Sequence, residues 1–216
     1  MELNTWFGYV GELLPGLVAA LKLTGISLGL GLPLALVLAL LVDSRLRVVR
    51  WVTIGFVEVG RGLPLLVLLY IFYQGLPQIN IVPSALASAT WAFTWSAAAY
   101  ATEIIRSSLR SVPRGQTEAG SSLGLSERDR FRYILLPQAS RIAIPPLMGL
   151  SIIMFQLTSL AYVITYSEVM QAAYFLGTTT FQYLPVFLAA AFVYAIITIP
   201  ASALVTSIEK RLSKHL

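Results

Sequence analysis

Two charge-free stretches decide which solvent this chain folds in. Leu23 to Val42 runs 20 residues without Asp, Glu, Lys or Arg, and after Glu168 no charge appears until Glu209, 40 residues of apolar chain. A helix of ~20 apolar residues rises ~30 Å, the thickness of a bilayer's hydrocarbon core. Only 12% of the 216 residues are charged and 57% are hydrophobic, which leaves too little polar surface to cover a water-soluble domain. That excludes a soluble enzyme, a disordered chain and a repeat solenoid. In lipid the backbone must bond to itself, within a helix or around a closed barrel. The apolar runs here are continuous rather than alternating, which selects helices. The fold class is all-α, a polytopic membrane protein.

Five transmembrane spans are expected. The first starts near Leu14 and ends at Val42. The second runs from Trp51 to Tyr73, across Glu58 and Arg61. The third runs from Pro83 to Ala101 and on into a charged helical segment. The fourth covers Ile142 to about Val163 and the fifth Tyr183 to Val205, with Val169 to Gln182 as an outer segment between them. Segments 43–50, 102–141 and 209–216 hold 13 of the 15 Lys and Arg, while 1–12, 74–82 and 164–182 hold none. Basic residues mark the cytoplasmic side, so the N-terminus is expected outside and the C-terminus inside. The net charge of +5 then reads as cytoplasmic-side charge, and no nucleic-acid partner is expected. Glu2 and Glu12 stand where a cleavable signal would be basic. With no cysteine, and His215 as the one histidine, no disulfide, thiolate metal site or histidine-based catalysis is expected.

The longest polar stretch, Glu103 to Arg141, is patterned rather than linker-like. Ser111-Val112-Pro113 reads as a helix start, and Gly124 as a helix end in left-handed conformation. Ser126 reads as a new N-cap with Asp129 three positions on, and Pro137 is expected to close this second short helix. Two short helices at an angle are compatible with a helix-turn-helix, with a solvated structural loop, or with a docking element for a cytosolic partner. Tethering at both ends by membrane spans argues against the first.

Glu118-Ala119-Gly120, three residues, Gly124, nine residues and Ile134-Leu135-Leu136-Pro137 resemble the EAA signature of ABC-importer permeases, with every interval kept and glycine where alanine is usual at Gly120. Glu58 to Leu66 is similar to the Glu-x-x-Arg-Gly-Thr-Pro-Leu-Leu segment of polar amino-acid permeases. Ala99 to Arg106 is similar to their Ala-Tyr-x-Ala-Glu-Ile-x-Arg segment, and Ser111 to Gln116 and Leu136 to Ala139 complete the set. The chain is identified as a member of the His/Glu/Gln/Arg/opine subfamily of type I ABC importers. The resemblance implies one permease domain over residues 1–216, with 113–137 as a cytoplasmic coupling loop that docks into an ATP-binding subunit. It also implies a second permease chain, an extracytoplasmic substrate-binding protein, a polar amino-acid substrate, and a place in the bacterial inner membrane. Alternating access by a moving loop is the implied mechanism. Gly for Ala at position 120 is expected to loosen the loop helix by up to ~1 kcal/mol.

Glu58 and Arg61, three residues apart on one helix, share a face. They read either as a packing ion pair or as a wall offering an acid to the substrate ammonium and a base to its carboxylate. Gln156, Thr158 and Ser159 are polar at membrane depth, either lining the path or bonding their own backbone. The family usually carries Lys-Asp or Lys-Asn before Thr-Ser; here Gln156-Leu157 stands in that place, which suggests a polar or less basic amino acid. Ser96 and Tyr100 are further substrate candidates. Lys22, Lys210 and Lys214 are the only lysines and none follows a phosphate-cradling glycine pattern, so no ATP hydrolysis and no cofactor is expected of this chain itself. Two other classes stay open: a self-sufficient carrier or channel with Glu58 as proton site, and a membrane scaffold that recruits an ATPase.

Overall fold

The computed structural model describes residues 3–213, with side chains described from Trp6 to Leu212; Glu2, Lys214 and His215 lie outside the described residues. Every regular element among them is helical. α1 (Leu3–Val42) is 40 residues long. It begins well before Leu14 because Tyr9 and Leu13 extend the apolar face and are buried against Val169, Ala173 and Val186. Pro15 and Pro33 lie inside it, as membrane helices tolerate.

The second expected span is not one helix. α2 (Arg47–Gly62) ends where Pro64 holds Leu63 in extended conformation, φ −85° and ψ 134°, because a proline ring disfavours helical geometry in the residue before it. α3 (Leu65–Tyr70) restarts from Pro64 and continues through a π-helical turn and a 3-10 turn to Ile79. The two halves are bent by 104°.

α4 (Ala85–Arg110) starts at Ser84, whose hydroxyl accepts from the Ala87 N–H. It is the central helix, and its buried face is mostly alanine and serine around Phe93. Small residues let helices approach closely without needing lipid contact. That is why α4 is not among the three helices long and apolar enough to cross a membrane by composition. α1, α3, α4 and the fourth apolar helix share one core that includes Leu23, Leu68, Phe93 and Met154.

α5 (Arg114–Ser122) and α6 (Glu127–Arg130) form the polar loop. Pro137 does not close the second short helix. A π-helical turn over Phe131–Leu135 leads directly into α7 (Leu136–Leu157), and the helical run is continuous from Glu127 to Ile164. The wider turn, with the Leu136 N–H donating to the Phe131 carbonyl, gives the proline ring room and reroutes the bond it cannot donate. After a 3-10 turn over Thr158–Ile164 come α8 (Val169–Thr180) and α9 (Tyr183–Ser213).

Candidate functional site

Polar residues gather in three places: a corner where α2 meets α4, a cavity among α7, α8 and α9, and the α5–α6 loop.

At the corner, the Arg61 guanidinium lies 3.6 Å from the Glu58 carboxylate and 3.8 Å from that of Glu103. Glu103 also pairs with Arg106 at 3.2 Å, and Arg106 with Asp43 at 3.5 Å. The Tyr100 hydroxyl donates to the Arg61 carbonyl at 3.2 Å. Arg61 is therefore flanked by two carboxylates of its own chain, both reached through Nη1. The Glu58 side chain is 63% exposed on the surface of this chain, so its own fold does not bury it. The charges read as buried in a span instead tie α2 to α4 at its edge. Ser96 is buried within α4, away from the cavity lining.

The cavity, of about 440 Å³, is lined by Gln156, Ser159, Met170, Phe187, Ala190, Ala191 and Tyr194. Two candidates, Gln156 and Ser159, thus share a wall, while none of the α2 or α4 candidates lines it. Both hydroxyls at the start of the 3-10 turn bond back to the end of α7: Ser159 to the Gln156 carbonyl at 2.9 Å and Thr158 to the Phe155 carbonyl at 2.7 Å. Thr158 is fully buried, so of the two only Ser159 faces the space.

Behind this cavity lies a residue that sequence reasoning passed over. Glu168, in the connection from α7 to α8, is fully buried. Its carboxylate caps α8, accepting from the Met170 and Gln171 N–H groups at 2.7 and 2.8 Å, and from the Tyr194 hydroxyl at 2.7 Å. Burial pushes its carboxyl up to about 7, against the pull of these three donors. The available sequence signal was its position: an isolated acid at the edge of a 40-residue uncharged stretch, directly before a helical pattern. Tyr194, which it holds from α9, is a cavity wall.

In the loop, Ser126 caps α6 by accepting from the Asp129 N–H at 3.2 Å. Gly124 has φ +77°, and the chain around it closes α5 with two bonds, Gly124 N–H to Ser121 at 2.9 Å and Leu125 N–H to Gly120 at 3.1 Å. That is the paired closure a left-handed glycine permits. A Cβ on Gly120 would sit 2.6 Å from Ile134 Cδ1, so the glycine lets α5 lie flush on the π-helical turn. Arg130 reinforces the contact by donating to the Ser121 hydroxyl. An alanine here would displace only the terminal methyl of Ile134, the end of a flexible side chain. Glu118, Ala119 and Leu123 remain exposed on α5, and Pro137 sits in the first turn of α7. No cluster of three or more His, Asp or Glu side chains able to hold a metal occurs among the described residues.

The fold has close counterparts. An amino acid ABC transporter solved in complex with histidines superposes with a TM-score of 0.93 at 30% identity, over 98% of this chain and 99% of that one. The MetNI methionine ABC transporter, in an inward-facing conformation, gives 0.69 at 17% identity, a likeness of fold. The L-cystine transport system permease protein TcyB of Bacillus subtilis (strain 168) is 39% identical over 93% of this chain and 86% of its own length. The glutamate/aspartate import permease protein GltK of Escherichia coli O157:H7 is 35% identical over 92% of each. The pattern of the binding-protein-dependent transport system inner membrane component matches residues 31–214. Together with the continuous helices and the closed EAA-type loop, that match places this chain in the family: it is a non-catalytic, inner-membrane permease subunit of a binding-protein-dependent ABC transport system.

Proposed function

We propose that the chain forms the translocation path of an ATP-driven importer of polar amino acids, working as one of two permease subunits. Its five crossings are α1, the α3 run to Ile79, α4, α7 and α9, with the N-terminus outside and the C-terminus inside, as the basic residues require. The α5–α6 loop then lies in the cytoplasm, where an ATP-binding subunit grips the exposed Glu118, Ala119 and Leu123 surface. The observation that carries this reading is the close packing of α5 against Ile134 at Gly120. Because the helical run from Glu127 to Ile164 is continuous, a push on α5 is carried through α7, past Pro145 and Pro146, towards the 3-10 turn bearing Ser159. A substrate-binding protein delivers the amino acid to the opposite face.

The α7–α9 cavity is the substrate wall within this chain. Its polar groups are the neutral Gln156, Ser159 and Tyr194, and Leu157 carries no acid, which suits an amino acid with an uncharged polar side chain. Glu168, behind the wall, positions it by holding the Tyr194 hydroxyl. Relatives of this chain belong to cystine, glutamate/aspartate, glutamine and arginine transport systems, so the class is amino acids and the member is set locally. Proteoliposomes with the ATP-binding subunit and binding protein provide the test. ATP-dependent uptake of glutamine outcompeting arginine is expected, with Glu118→Ala lowering ATPase association in detergent. A clear arginine preference would remove the substrate assignment, and uptake without any ATP-binding subunit would favour the self-sufficient carrier.

A further inference from the structure

We infer that α2 is an in-plane helix seated in the inner-leaflet interface, with Arg47 and Arg50 holding phosphates of anionic lipid. The inference rests on the proposed cytoplasmic position of residues 43–50. α2 and α3 meet at 104°, so only one of them can stand along the bilayer normal. The run from Leu65 to Ile79 carries no charge, whereas α2 carries Arg47, Arg50, Glu58 and Arg61. α3 therefore takes the normal and α2 lies near the plane.

The faces of α2 agree. A spacing of 11 residues is about three helical turns, so Val48 and Val59 lie on one line, as do Arg47 with Glu58 and Arg50 with Arg61. One sector, Thr53, Val57 and Gly60, is buried in the protein. A second, Val48, Val52 and Val59, is bare, at 77%, 67% and 45% exposure. The third carries the charges. A helix crossing the membrane would have no reason to keep a charged sector along its whole length; a helix at the interface needs one apolar sector for lipid and one polar sector for water.

The charges also differ along the helix. Glu58 and Arg61 at the far end are tied to α4. Arg45, Arg47 and Arg50 at the near end are in none of the ion pairs among the described residues. Cations are disfavoured at a helix N-terminus by its dipole, and the N-cap Leu46 offers no side-chain oxygen to the first N–H groups. An external anion answers both deficits. A lipid phosphate beside the bare valine sector is the anion that an inner-leaflet position supplies.

The chain has no cysteine, so single substitutions Val48→Cys, Val52→Cys, Val59→Cys and Glu58→Cys can be spin-labelled in the full chain. The labelled chains go into vesicles of phosphatidylcholine with or without phosphatidylglycerol. Equal depths at the three valines, with oxygen reaching them and a nickel chelate excluded, are expected, while the label at 58 is open to the chelate. Depth rising steadily from 48 to 59 would overturn the in-plane placement. Labels at the valines shielded from both reagents would overturn it too, by revealing a protein partner there. With phosphatidylglycerol present, Arg47→Glu with Arg50→Glu is expected to roughly double chelate access at position 48; no change would overturn the phosphate contact. A membrane-impermeant thiol reagent that reaches Glu58→Cys only from outside would overturn the topology beneath the inference, leaving the depth pattern to speak separately.

Discussion

The α2–α4 corner and the α7–α9 cavity both hold residues that stand out as polar in an apolar chain, and the fold uses them in opposite ways. At the corner, full charges face one another: three carboxylates and two guanidiniums in a row, with Glu58 and Asp43 mostly exposed on the surface of the chain. At the cavity, neutral groups face an open space of about 440 Å³, while the one charge-bearing group, Glu168, is withdrawn behind them and satisfied by three donors. A charge that is paired at an edge fastens helices together. A neutral polar wall facing an open space is what a ligand can use.

That contrast can be broken at several points. The largest effect is expected from pH. The folded chain holds the Glu168 proton up to about 7, above the ordinary carboxylate range, so the unfolded chain binds fewer protons between those values and stability falls as pH rises through them. The fall amounts to about 3 kcal/mol at most, read as thermal unfolding in detergent, and Glu168→Gln removes the slope. Next comes Tyr194→Phe, which deprives a buried carboxyl of one donor and costs about 2 kcal/mol in the same measurement. Gln156→Leu changes the cavity wall without touching Glu168. It is expected to raise the substrate concentration for half-maximal uptake about tenfold, equivalent to ~1.4 kcal/mol. Glu58→Gln should be the smallest, within ~0.5 kcal/mol of wild type in stability and without effect on uptake. If Glu58→Gln instead exceeded Gln156→Leu in uptake, the roles of the two regions would be exchanged.

Much of the fold is legible in the sequence because lipid imposes it. The charge-free runs give α1 and α9, the Ser126 cap appears where its hydroxyl demands, the Gly124 corner where a missing Cβ permits it, and the motif spacing locates the loop. The misreadings share a cause. Pro64 and Pro137 look alike as helix punctuation, yet one produces a sharp bend and the other is absorbed by a π-helical turn, a choice made by what packs around each. α4 is legible as an apolar stretch running into a charged segment, but that its alanine and serine face packs against protein rather than lipid is seen only in the fold. In the site, Glu58 and Arg61 announce themselves by charge, but their partner Glu103 lies 42 residues beyond Arg61 and only the fold brings it near. Glu168 is the reverse, a lone acid whose importance rests on Tyr194, 26 positions away.

The most direct measurement is ATP-driven amino-acid uptake by the reconstituted importer, comparing Gly120→Leu with wild type while ATPase binding and ATP hydrolysis are followed in parallel. A leucine at 120 forces α5 off Ile134, so uptake should fall at least about tenfold while the ATP-binding subunit still binds and turns over ATP. Uptake that persists unchanged alongside normal hydrolysis would mean that force does not pass through α5 into α7.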